Sequence, residues 1–203
     1  MNFIIENWIE IVGALISLIY LVLSVKQNIW TWAAGIACSL LYVVVFLDAK
    51  FYADMTLQVY YVLVSIYGWY FWAKGNPNKQ MKTAEVSRTP GIVWLILFFV
   101  AMLCFVLIYF ILNDYTDSPV PVGDAITTAL SIVATWMLAR KYLEHWILWI
   151  FIDAFSAYLY FEKGLYPTVI LFVVYTMVAM CGFVAWNNQV IDRECKIREA
   201  WEE

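Results

Sequence analysis

The sequence predicts an all-α membrane protein with seven transmembrane helices, arranged as two three-helix repeats joined by a linking helix. The 203 residues are 65% apolar and only 14% charged, with a mean hydropathy of +0.77. A water-soluble domain of this size does not normally have such a composition. Seven apolar stretches follow one another along the chain, and the chain resembles itself when it is shifted by 114 residues. These observations together predict a repeated helical membrane domain.

Each apolar stretch is close to the length of about 20 residues that a membrane-spanning helix needs. The amino terminus is acidic rather than basic, so the first stretch is predicted to be a permanent helix and not a cleaved signal. The connection 74–91 and the charged tail after residue 187 are both expected to be solvated. The predicted spans cover residues 8–25, 31–47, 55–73, 92–112, 122–139, 146–161 and 168–186.

The internal repeat aligns residues of unusual type without any gap. Glycine and tryptophan matches carry more weight than apolar ones, because apolar helices resemble one another by composition. The clearest pairs are Trp32 with Trp146, Gly68 with Gly182, and Trp72 with Trp186.

Two three-helix repeats enter the membrane from the same side only if one further helix lies between them. The repeat therefore predicts a 3+1+3 arrangement with parallel repeats, the SWEET-like layout, in which substrate sites lie near the repeat interface at mid-membrane. We expect one transmembrane domain over 1–203, divided into repeat one 8–73, linking helix 92–112, repeat two 122–187 and cytoplasmic tail 188–203.

Charge distribution predicts the orientation in the membrane. Ten Lys and Arg side chains would lie on one side, and only Lys50 and Lys163 on the other. The positive-inside rule then places the amino terminus outside and the carboxyl terminus in the cytoplasm. The net charge of −4 gives no sign of a nucleic-acid partner. The four cysteines lie singly, so neither a disulfide framework nor a metal site is indicated, and no cofactor is expected.

Asp153 is the most unusual residue of the predicted spans. A charged Asp at a helix centre costs about 2.5–3.5 kcal/mol on insertion scales, so it must face protein or water. One interpretation is a cavity-facing group that binds a cation, a pair of ribose hydroxyls or a proton. The alternative is a structural hydrogen bond between helices. Its repeat partner is Ser39, so the two halves differ chemically here.

Aromatic and polar side chains recur at helical spacing on the third and seventh spans, as a site for a planar solute with a polar substituent requires. A plainer alternative is an aromatic belt at the cytoplasmic interface for the tryptophans and interhelical hydrogen bonding for the amide. His145, the only histidine, is expected at that interface. The candidate substrate-binding residues are Gln58, Tyr61, Ser65, Trp69, Trp72, Trp149, Asp153, Tyr175, Trp186 and Asn187.

Two long segments carry a resemblance to a known family. They are WTWAAGIACSLLYVVVFLDAKFYADMTLQVYYVLVSIYGWYFW and EHWILWIFIDAFSAYLYFEKGLYPTVILFVVYTMVAMCGFVAW, and they closely resemble the PnuC family of bacterial nicotinamide riboside transporters. The resemblance covers residues from about 8 to 188. It implies a seven-helix SWEET-like fold in the inner membrane and uptake of the vitamin B3 nucleoside by facilitated diffusion.

Other functions remain open from the residues alone. A transporter of another small aromatic or nucleoside solute fits the same face. A seven-helix receptor or sensor fits the topology, although the last span has no Lys for a retinal Schiff base. An enzyme is not expected, because no HExxH, GxSxG or phosphate-binding GxxxxGK[ST] motif occurs. Lipid is an expected partner, and apolar helix faces would allow a homo-oligomer.

Overall fold

The computed structural model describes residues 8–48, 52–74, 84–116, 120–162 and 164–202. These residues form seven α-helices, and no named strand occurs among them. They fall into two compact units, with the boundary in the chain between Glu85 and Val86. The helices are α1 Trp8–Val25, α2 Trp30–Asp48, α3 Tyr52–Lys74, α4 Gly91–Tyr115, α5 Pro121–Ala139, α6 His145–Glu162 and α7 Tyr166–Glu202.

Helices that follow one another in the chain pack together within each unit. In the first unit α2 lies between α1 and α3, and in the second α4 packs on α5, α5 on α6, and α6 on α7. The predicted linking helix is therefore part of the second unit. Leu97 of α4 joins Val133 and Met137 of α5 in a buried apolar cluster there.

Three helices among the described residues are long and apolar enough to cross a bilayer by length and composition alone. They are Gly91–Tyr115, Pro121–Ala139 and the Tyr166–Glu199 part of α7. The apolar runs of α1 and α2 are shorter, at Leu15–Val25 and Trp30–Val44.

The first two helices of each predicted repeat meet in corners with the same backbone geometry. In both, the chain turns through a residue with positive φ, Gln27 at 52° and Lys141 at 55°. The amide of that residue donates to the carbonyl three positions back, at 3.0 and 2.9 Å. The following amide donates to the carbonyl five positions back, at 2.9 and 3.0 Å. This pair of bonds is the Schellman motif, and both corners occupy the positions that the 114-residue shift aligns.

Each unit also contains a tryptophan ring packed directly against a glycine of a neighbouring helix, Trp32 on Gly68 and Trp146 on Gly182, and we call this contact the glycine notch. The Trp32 ring lies edge-on to Trp72 at 5.2 Å between centroids, and Trp146 lies edge-on to Trp186 at 5.7 Å. A Cβ atom added to Gly182 would lie 2.6 Å from Cζ2 of Trp146, and Gly68 is similarly close to Trp32. The aligned glycines and tryptophans thus form one local packing motif twice.

The segment 84–90 is not the solvated loop that the sequence predicts. Val86 is buried, and the Ser87 backbone bridges the corner between α5 and α6 through bonds of 3.0 and 2.9 Å. The Thr89 amide and hydroxyl both donate to Oε2 of Glu144, at 2.8 and 2.6 Å. The expectation failed because these contacts join residues 55 positions apart, which polarity alone does not reveal. The remainder of the predicted loop, 75–83, lies outside the described residues.

Helix α7 continues through the predicted charged tail to Glu202, and most side chains of this stretch are exposed, as expected of a solvated segment. No Gly or Pro interrupts this stretch, and Asp192 and Lys196 stand at the i,i+4 spacing that supports exposed helices. Val190 anchors the extension, since its side chain is buried. An Arg88–Glu194 ion pair of 3.5 Å lies on the surface and contributes little.

Lys141 offers a pH-dependent test of the second corner. Burial lowers the pKa of this lysine from 10.5 to about 8. The unfolded chain therefore binds more protons than the folded protein between those values, and stability should rise with pH across that window. Lys141→Gln copies the residue of the first corner and is expected to raise the melting temperature at pH 7 and to remove the rise between pH 8 and pH 10. The same pH dependence in both proteins would show that Lys141 is not its source.

Candidate functional site

Asp153 lies on the buried side of α6 and is 4% exposed. No hydrogen bond or ion pair joins its carboxylate to another residue in the part of the chain that the structure describes. Burying a charge without a partner is expensive, so such a group binds a cation or polar ligand or stays protonated. The structural alternative, a hydrogen bond between helices, therefore has no partner for Asp153 among these residues. A ligand-binding role fits this environment better.

Trp149 precedes Asp153 by one helical turn and is half-buried. Side chains four residues apart lie on one face of a helix, so an indole and a carboxylate are presented side by side. Ser156 extends the same face three residues further and is 6% exposed. We define the α6 strip as Trp149, Asp153 and Ser156. Ser156 is not among the candidate residues predicted from the sequence, although its i+3 spacing from Asp153 is a signal that could have identified it.

The candidate side chains of α3 differ in exposure, because some of them pack against α2. Gln58, Tyr61 and Trp69 are half-buried, whereas Ser65 and Trp72 are buried. Trp72 meets Trp32 as described above, and Trp69 lies edge-on to Trp30 at 5.9 Å. Gln58 and Tyr61 therefore retain accessible surface for a solute, and Trp72 has a packing role.

The candidate residues of α7 also differ in exposure. Tyr175 and Asn187 are half-buried, but Trp186 has no exposed surface. Its ring meets both Trp146, at 5.7 Å, and His145, at 4.8 Å. A solute would reach Trp186 only after these rings move, so its role in stacking remains a prediction.

His145 begins α6, and its side chain is buried in the protein interior. Its ring is fully buried, and Nδ1 lies 2.6 Å from the carbonyl oxygen of Tyr142. Its Nε2 atom and Nε1 of Trp146 are buried with no hydrogen-bond partner among the described residues. The corner between α5 and α6 turns the ring toward the protein, and a position at the membrane interface stays a prediction.

The electrostatic character of the helices favours cations. No Lys or Arg occurs in the described helices before Lys74, in α4, in α5, in α6, or in α7 up to residue 192. Acidic groups do occur, including Asp124 in the first turn of α5 and Asp153 in α6. An anion entering this region would find no basic side chain on these helices, whereas a cation would find carboxylates.

Comparison with known proteins identifies the family. The sequence model of the nicotinamide mononucleotide transporter family matches residues 7–188. The nicotinamide riboside transporter PnuC of Escherichia coli is 25% identical over 92% of this chain and 88% of its own length. The riboflavin/roseoflavin transporter RibM of Streptomyces davaonensis is 26% identical over 88% of this chain and 84% of its own length.

The fold matches a solved transporter as well. A crystal structure of the vitamin B3 transporter PnuC aligns with a TM-score of 0.71 at 23% identity, over 92% of this chain and 83% of that one. The resemblance seen in the sequence is confirmed, and the chain is a multi-pass membrane transporter and not an enzyme. The match over residues 7–188 establishes that this chain belongs to the nicotinamide mononucleotide transporter family.

Proposed function

We propose that this protein takes up nicotinamide riboside across the inner membrane by facilitated diffusion, with an alternating-access cycle. The observation that carries the proposal is the unpartnered, buried carboxylate of Asp153 beside the half-buried indole of Trp149. The nicotinamide riboside transporter of Escherichia coli is similar over nearly the whole chain, which supports the same substrate class.

The chemistry of the α6 strip suits this solute. Nicotinamide riboside carries a cationic pyridinium ring, and an indole face attracts such a cation by about 2 kcal/mol once both are desolvated. The carboxylate of Asp153 would neutralise the charge. Asn187 of the same unit supplies a further polar group with accessible surface for the carboxamide.

The charge pattern also disfavours the phosphorylated form. The 5′-phosphate of nicotinamide mononucleotide needs Arg or Lys partners in a site that excludes water, and the membrane helices supply none in the ranges given above. We therefore assign the nucleoside and not the nucleotide. Riboflavin is the second candidate, because the riboflavin/roseoflavin transporter RibM has nearly the same sequence identity to this chain as PnuC, 26% against 25%. Riboflavin is uncharged and would leave the Asp153 carboxylate without a counter-charge.

The proposed cycle uses the predicted 3+1+3 parallel repeats of one transmembrane domain. The recurrence of the corner and of the tryptophan in a glycine notch supports the repeat. Apolar side chains cover most of the exposed surface of α4, including Ile92, Phe98 and Phe99, and lipid or a second copy would cover them.

Transport in proteoliposomes tests the proposal. Radiolabelled nicotinamide riboside should equilibrate across the vesicle membrane without ATP or a proton gradient, because the sequence contains no GxxxxGK[ST] motif to bind a nucleotide. Riboflavin and nicotinamide mononucleotide should compete weakly. Uptake of riboflavin with no uptake of nicotinamide riboside would show that riboflavin is the substrate and contradict the proposal. Accumulation of nicotinamide riboside that a protonophore abolishes would contradict facilitated diffusion.

Cysteine labelling tests the orientation. With the amino terminus outside, a cysteine at Lys50 or Lys163 is expected to react with an impermeant maleimide added to whole cells. A cysteine in 76–88 should react only after the membrane is opened. The opposite pattern would invert the topology. Lys50, Lys163 and most of 76–88 lie outside the described residues, so this assignment rests on the charge distribution alone.

A further inference from the structure

Ser156 and Ser131 are the buried serines of the second unit whose hydroxyls have no hydrogen bond to a described residue, and Ser156 is the one that lies a turn from Asp153. A Ser or Thr within a helix usually donates its hydroxyl to a carbonyl of the preceding turn. Thr127, Thr135 and Thr176 do so, with bonds of 3.2, 2.7 and 2.9 Å to the carbonyl four residues back. Ser156 has no such bond, and no other hydrogen bond joins its hydroxyl to a described residue.

Burial makes this absence informative. Ser156 is 6% exposed and Asp153 is 4% exposed, so each polar group has little contact with water. A hydroxyl or carboxylate that gains a hydrogen bond from an entering solute would stabilise the complex by about 0.5–3 kcal/mol. Two neighbouring polar groups on one helix face therefore lack partners within the described protein.

From this arrangement, and on the basis of the proposed function, we infer that Ser156 and Asp153 together bind the ribose hydroxyls of the substrate. A carboxylate accepts two hydrogen bonds, and a serine hydroxyl both donates and accepts one. Side chains three residues apart on a helix have Cβ atoms about 5–6 Å apart, which lets both groups reach one sugar. The adjacent hydroxyls of ribose supply the donors that the carboxylate needs.

The order of groups along α6 matches the order of groups in a nucleoside. Trp149, Asp153 and Ser156 rise along the helix by about 1.5 Å per residue, which gives roughly 10 Å from the indole to the serine hydroxyl. An aromatic ring followed by a pentose has a similar length. The pyridinium ring would lie over Trp149, and the sugar would lie beside Asp153 and Ser156. Ser156 then determines specificity for the sugar and has no direct role in holding the charged ring.

Comparing a ligand that carries the sugar with one that lacks it distinguishes a contact to the sugar from a general effect on packing. Nicotinamide riboside carries ribose, whereas 1-methylnicotinamide carries the same cationic ring without a sugar. Ser156→Ala is expected to weaken binding of nicotinamide riboside by about three- to tenfold, as the loss of one neutral hydrogen bond would. The affinity for 1-methylnicotinamide should stay within twofold. Titration calorimetry on purified protein measures both.

Thr135→Ala is the matched control, because Thr135 is a buried hydroxyl that already bonds its own helix at 2.7 Å. It should leave both affinities unchanged. Wild-type affinity for nicotinamide riboside in Ser156→Ala, or an equal loss for both ligands, would overturn the inference while leaving the proposed function intact. If the wild type binds 1-methylnicotinamide too weakly to measure, the sugar contributes most of the affinity, and Ser156→Ala must then lower binding of the riboside. A wild-type protein that fails to bind nicotinamide riboside would refute the proposed function and this inference with it.

Discussion

Asp153→Asn is expected to lower the affinity for nicotinamide riboside by roughly 10- to 100-fold, because it removes a charged partner worth about 1.5–3 kcal/mol. The asparagine keeps the shape of the side chain, and it relieves the cost of burying an unpaired charge. The variant should therefore insert, fold and melt at or above the wild-type temperature. Affinity and melting temperature measured on the same preparation separate a binding defect from a folding defect.

Asp124→Asn is the control for this experiment. It removes the same charge from the same unit, at the first turn of α5. Its affinity should stay within about twofold of wild type, since Asp124 is on α5 and is not part of the α6 strip. Equal losses in both variants would show that the negative field of the whole unit, and not a contact at Asp153, attracts the cation.

Gly182→Ala is expected to give the largest loss of stability. The added Cβ would lie 2.6 Å from Cζ2 of Trp146 and 2.7 Å from two further ring atoms, so the indole must move. It has little room, because Trp186 and His145 pack against it at 5.7 and 4.5 Å between centroids. Overpacking of this kind costs about 1–3 kcal/mol, which corresponds to a fall of several degrees in melting temperature.

Gly91→Ala is the matched control for the glycine notch. No atom lies within 4 Å of a Cβ at Gly91, and the residue begins α4, so alanine should be neutral or slightly stabilising. The double variant Gly182→Ala with Trp146→Phe should recover part of the stability, since the smaller ring leaves space for the methyl group. Normal stability of Gly182→Ala alone would show that the notch is not close-packed.

The architecture could be predicted from the sequence because apolar length and repeat spacing are strong local signals. The first predicted span, 8–25, coincides with α1, and the other six begin or end within a few residues of a helix. The shift of 114 residues paired Gly68 with Gly182 and Trp32 with Trp146, and in the structure both pairs occupy the same packing motif. The family of the protein could also be predicted from the sequence, since the resemblance rests on long segments and the family match covers residues 7–188.

The remaining features depend on contacts that a linear pattern does not record. Residues 86–90 have a polar sequence, but the bonds from Thr89 to Glu144 hold them against the corner between α5 and α6. The polar composition after residue 187 likewise does not reveal that α7 continues to Glu202. His145 has charged neighbours in the sequence and still folds inward. Among the candidate site residues, spacing placed Trp186 and Tyr175 on one face, but only the structure shows that Trp186 is enclosed by other rings.

The central claim is that a cationic nucleoside binds at Asp153, and calorimetric titration of the purified protein with nicotinamide riboside, riboflavin and nicotinamide mononucleotide tests it most directly. We expect nicotinamide riboside to bind in the wild type and to lose at least tenfold in affinity in Asp153→Asn, with riboflavin and nicotinamide mononucleotide binding weakly to both proteins. Tight binding of riboflavin, or an affinity for nicotinamide riboside that does not change in Asp153→Asn, would contradict the account.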